Sequence, residues 1–62
     1  MSELSTADLE QVYDRLAEAI DQAEGHSELM LVKLALLLAR ELGQRERVEA
    51  LISDALRDLA PA

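Results

Sequence analysis

Cysteine, tryptophan and phenylalanine are absent from this chain of 62 residues, tyrosine, proline and lysine occur once each, and glycine occurs twice. Without cysteine there is no disulfide framework, no thiolate nucleophile and no cysteine-based zinc or iron–sulfur site. No Glu-x-x-His pair exists, so the carboxylate-bridged di-iron pattern of helical bundles is missing as well. Long apolar runs are also lacking. The longest, from Leu29 to Ala39, is interrupted by Lys33 and falls far short of the roughly 20 residues that a membrane span requires. Met1-Ser2-Glu3-Leu4 carries no basic flank leading into an apolar run, so it does not read as a signal or transit peptide. These features predict a soluble cytoplasmic protein with no membrane partner. Five Arg against one Lys, with ten Ala and thirteen Leu, suggest a GC-rich bacterial coding sequence.

Bases are scarce too: six against thirteen acids, for a net charge of −7. The imbalance is confined to the first 28 residues, which hold Glu3, Asp8, Glu10, Asp14, Glu18, Asp21, Glu24 and Glu28 against Arg15 alone. The rest of the chain is neutral. So acidic a segment repels phosphate backbones and anionic membrane surfaces, which argues against nucleic-acid binding.

What is present is helical patterning. Ser5-Thr6-Ala7-Asp8 forms an N-terminal cap, in which the Ser5 hydroxyl can accept from the Asp8 amide while Asp8 supplies a negative charge to the first turn. Leu4 and Leu9 flank it at the spacing of a hydrophobic staple. Leu9, Tyr13, Leu16, Ile20 and Ala23 then recur at helical intervals, widened by Val12 and Ala19, and Gly25 is placed for a left-handed exit. A helix is predicted over about 6–24. The second, over about 28–42, follows a Ser27 cap and stops at Gly43. The third, over about 45–59, carries Val48, Leu51, Ile52, Ala55, Leu56 and Leu59 on one side and Arg45, Arg47, Glu49, Asp54, Arg57 and Asp58 on the other, with Pro61 beyond it. There are no repeats and no linker long enough to divide the chain. The reading is a single all-α domain, residues 1–62, of three antiparallel helices running up, down and up.

The middle helix is apolar almost all the way round. At about 100° per residue, Leu31, Leu34, Leu38 and Leu42, with Val32, Ala35 and Ala39, make one broad face. Leu29, Met30, Leu36 and Leu37 lie on the other side, flanking a narrow strip that holds Lys33 and Arg40. A chain this short buries only about 60% of its unfolded surface. With no disulfide or metal to staple it, oligomerisation is the remaining device. The predicted interface is therefore Leu29, Met30, Lys33, Leu36, Leu37 and Arg40, closing on itself in a two-fold homodimer. Lys33 and Arg40 could pair there with the acidic face of the partner's first helix. The competing arrangement is a monomeric bundle in which the outer helices straddle the middle one.

Other candidate sites have plainer readings. Glu10, Asp14, Glu18 and Asp21 form a ridge along the first helix that could hold a hard cation or dock a basic partner, but a solvated acidic face has the same sequence. No metal ligand set is assigned. His26, the only histidine, lies in the turn between the first two helices beside Glu24 and Ser27, where a general base would need an orienting acid or a nucleophile. Ser27 is better explained as a cap and Glu24 as a solvent residue of the last turn, so no catalytic residue is assigned. Tyr13 belongs to the apolar stripe. Arg40, Arg45 and Arg47 gather near the second turn, where cations also complement a helix C-terminus. A helix-turn-helix would need a basic recognition helix, and the segment from Arg45 to Asp58 is close to neutral.

Asp8-Leu9 followed by Val12-Tyr13 and Leu16, together with Leu36-Leu37-Leu38-Ala39 followed by Leu42-Gly43, resembles a family of short bacterial proteins known only as a domain of unknown function. The resemblance covers residues 8 to 56. It implies a helical fold and carries neither an activity nor a functional residue. The sequence therefore predicts a small acidic accessory or interaction protein, not an enzyme, with no cofactor. Its expected partners are a second copy of itself and another protein. The alternative is an acidic regulator that lays its first helix on a basic surface, as a nucleic-acid mimic would.

Overall fold

The computed structural model describes residues 3–57 and Leu59. It has three helices: α1 at Thr6–Ala23, α2 at Ser27–Leu42 and α3 at Arg45–Leu56. No strand occurs among the described residues, so the chain is a small all-α protein. No helix among them is long and apolar enough to cross a membrane.

Each helix boundary has a local cause. At the start of α1 the Asp8 amide donates to the Ser5 hydroxyl at 3.0 Å, and Ser5 itself is extended, as a capping residue should be. Leu4 and Leu9 remain more than half exposed, so the apolar staple adds little to this cap. The left-handed exit from α1 begins one residue before Gly25. Glu24 has φ 45° and ψ 66°, Gly25 follows at φ 90°, and the His26 amide closes the turn by donating to the Ala23 carbonyl at 3.1 Å. A side chain in that region crowds the following carbonyl, so Glu24 is held there at a cost of about 1 kcal/mol or more.

Ser27 is the first residue of α2 and not its cap. The Met30 amide donates to the His26 carbonyl at 3.0 Å, which makes His26 the residue that accepts the first helical bond. At the other end Gly43, at φ 75°, donates its amide to the Ala39 carbonyl at 2.8 Å and closes the left-handed cap. Gln44 is extended and precedes α3 without any side-chain cap hydrogen bond.

Helix α3 stops at Leu56, short of the predicted end near residue 59. Arg57 turns to an extended backbone, its amide donates to the Asp54 carbonyl at 3.2 Å, and its guanidinium donates to the Asp54 carboxylate at 2.9 Å. The physical reason is local: these two bonds from Arg57 to Asp54 tie the last turn off on itself, and Leu56 and Leu59 stay about two-thirds exposed. Asp58 and Pro61 lie outside the described residues.

The chain divides into two units, Met1–Val32 and Lys33–Ala62. In neither is any described residue buried. The half-buried residues of the first are Leu16, Ala19, Ala23, Ser27 and Met30, and those of the second are Leu34, Ala39, Leu42 and Val48. Around α2 the shielded positions shift: Ser27, Met30 and Leu34 fall within about 60° of one another, whereas Ala39 and Leu42 lie roughly 100° further round. The broad face expected from the sequence is thus only partly sheltered, and Leu38 in its middle is 59% exposed.

The two left-handed positions should respond oppositely to mutation. Glu24→Gly relieves strain and should raise stability by about 1 kcal/mol, whereas Gly43→Ala introduces it and should lower stability by about as much. Urea unfolding followed by circular dichroism at one fixed protein concentration measures both. A loss for Glu24→Gly would mean that its carboxylate contributes more than its backbone strains.

Candidate functional site

The acidic ridge is built by the register of α1. Glu10, Asp14 and Glu18 repeat every four residues, Asp21 follows three later, and all four are exposed. The side-chain hydrogen bonds among the described residues are Ser5 with Asp8 and Arg57 with Asp54, so the ridge carboxylates take no part in any. Like charges at this spacing repel by about 0.2–0.5 kcal/mol per pair. Among the described residues no group of three or more His, Asp or Glu side chains is placed to hold a metal ion. What the arrangement presents is a continuous, uncompensated anionic surface.

Beside it runs an apolar strip. Leu9, Val12 and Tyr13 are at least half exposed, with Tyr13 at 71%. The stripe that the sequence offered as the packing face of α1 is therefore sheltered only in its second half, at Leu16, Ala19 and Ala23.

On α2 the predicted interface residues separate into two groups. Leu29, Leu36 and Leu37 are more than half exposed, with Leu36 at 62%, and Lys33 and Arg40 are exposed alongside them. Met30 instead is half-buried. Neither Lys33 nor Arg40 has an ion-pair partner among the described residues. The ion pairs found there are Arg45 with Glu49 at 3.9 Å and Arg57 with Asp54 at 2.9 Å, both at the solvent surface, where such pairs contribute between nothing and about 1 kcal/mol.

The sequence did not announce a cleft in the second unit. Leu36 and Ala39 of α2 face Val48 and Ile52 of α3 across an open apolar groove of about 590 Å³, with Arg40 and Arg45 among its lining residues. Its signal was present in the small residues Ala39 and Gly43, which leave room for the return of the chain, but small residues at a helix end also have a capping explanation. A shallower depression of about 380 Å³ is lined by Gly25, His26, Glu28, Leu29 and Val32. His26 is exposed there, and no side-chain hydrogen bond joins it to Ser27 or Glu24. Of the three arginines near the second turn, Arg40 and Arg45 line the groove and Arg47 does not.

Comparison of the chain with protein-family models, with curated proteins and with solved structures gives no match. The site is therefore read from its own chemistry, which is that of surfaces: an anionic ridge, an apolar strip and an apolar groove lined also by Arg40, Arg45 and Glu49.

Asp14 sits between Glu10 and Glu18, so Asp14→Lys turns two repulsions into attractions and should stabilise the helix by about 1 kcal/mol at low salt. The gain should shrink toward zero at 1 M salt as the charges are screened. Thermal melts at the two salt concentrations test this, and a gain unchanged by salt would rule out the electrostatic cause.

Proposed function

We propose that this chain is a small acidic accessory protein that works by self-association, with α2 at the centre of a homodimeric helical bundle. The observation that carries this reading is exposure. No described residue of either unit is buried, and Leu29, Leu36, Leu37 and Leu38 on α2 are each more than half exposed. Apolar patches of this kind mark partner surfaces, and an obligate homodimer interface takes up about 1,000 Å² or more from each copy.

A second copy is the simplest partner, because one patch meeting itself across a two-fold axis closes and leaves no edge for further growth. In this reading the helices of each copy run antiparallel, which suits the short connections at Gly25-His26 and Gly43-Gln44. The alternative retains one favouring observation, the exposed carboxylates Glu10, Asp14, Glu18 and Asp21, which could lie against a basic surface of another protein. The two readings differ in what salt does. An assembly held by apolar contacts survives high ionic strength, and an acidic mimic releases its target.

Sedimentation equilibrium across a concentration series tests self-association, with a dimer or larger species expected for the wild type. Leu36→Glu combined with Leu37→Glu should give monomer, with helicity falling as the shared core is lost. A wild type that stays monomeric and helical at every concentration refutes the proposal. A double variant that stays fully oligomeric shows that the interface lies elsewhere.

A further inference from the structure

We propose that the groove between α2 and α3 seats the first half of α1 from a second copy of this chain, reciprocally, so that each copy gives one helix and receives one. This rests on the self-association proposed above and adds an α1-to-groove contact to the α2 patch proposed there. The groove is apolar at Leu36, Ala39, Val48 and Ile52, with Arg40, Arg45 and Glu49 also among its lining residues. Glu49 pairs with Arg45 at 3.9 Å, which leaves Arg40 as the groove's cation without an ion-pair partner among the described residues. An occupant that is apolar along one side and carries a carboxylate at its margin fits it.

The first half of α1 has that form. Leu9, Val12 and Tyr13 stand at i, i+3 and i+4, the anchor spacing with which an amphipathic helix enters a groove, and all are at least half exposed. Projected at about 100° per residue, Asp8 borders this strip on the Val12 side and Glu10 on the Tyr13 side. The strip thus brings carboxylates to both margins, either of which can meet Arg40. Complementary charge fixes register and partner choice more than it adds affinity, so the apolar contacts hold the pair and the charges orient it. Two identical seats related by a two-fold axis close the assembly as a dimer.

Because the chain has no cysteine, a single introduced pair reports the seat directly. Val12→Cys chains and Ile52→Cys chains, each unlinked by itself, are mixed, unfolded in urea, refolded together to exchange subunits and mildly oxidised. Mass spectrometry then counts the mixed disulfide. The mixed product should exceed by about five-fold that from Gln11→Cys with Ile52→Cys, since position 11 lies on the far side of α1 and a disulfide needs its two Cβ atoms close. Leu9→Cys with Val48→Cys provides a second pair in case either variant loses helicity. No excess from both pairs, with a wild type that sediments as a dimer, overturns the seat and leaves self-association standing. A wild type that is monomeric throughout overturns both.

Discussion

The governing constraint is that a chain of three short helices carries nineteen large aliphatic side chains, Met1 aside, and no described residue is buried. A chain of this size has a high surface-to-volume ratio even when well packed. Here α2 is in addition apolar on nearly every side. In the proposed dimer, burial against the second copy offsets the entropy that backbone order costs.

Local determinants nonetheless set each helix apart from its neighbour. Ser5 caps α1, Gly43 ends α2, and Glu24 with Gly25 turns the chain between them. Each of these acts within a few residues and needs no partner. A chain built this way can have its helices defined before its core exists, with the apolar faces free to find a second copy.

The charge distribution gives those faces a preferred orientation. All of the net charge lies on the first 28 residues, while the cations that line the groove, Arg40 and Arg45, belong to the neutral remainder. Opposite charges attract and two acidic helices repel each other, so this distribution favours an α1-to-groove contact over a pairing of α1 with α1 in the proposed dimer.

The number of helices, the starts of all three within one residue, the Ser5 cap, the Gly43 stop and the asymmetry of charge were all legible in the sequence, because capping and i, i+4 periodicity depend only on near neighbours along the chain. Placement on α2 was not. Leu31, Leu34, Leu38 and Leu42 look equivalent by spacing, yet Leu34 and Leu42 are half-buried and Leu38 is exposed, while Met30, read as outward, is partly sheltered. When every side of a helix is apolar, periodicity no longer says which side is covered, and the choice passes to residues distant in sequence. For the same reason the groove lined by Leu36, Ala39, Val48 and Ile52 appears only once α2 and α3 are brought together. Local chemistry determined where each helix begins and turns; tertiary structure alone decided which leucines are sheltered and where a groove opens, because those outcomes depend on what surface lies opposite.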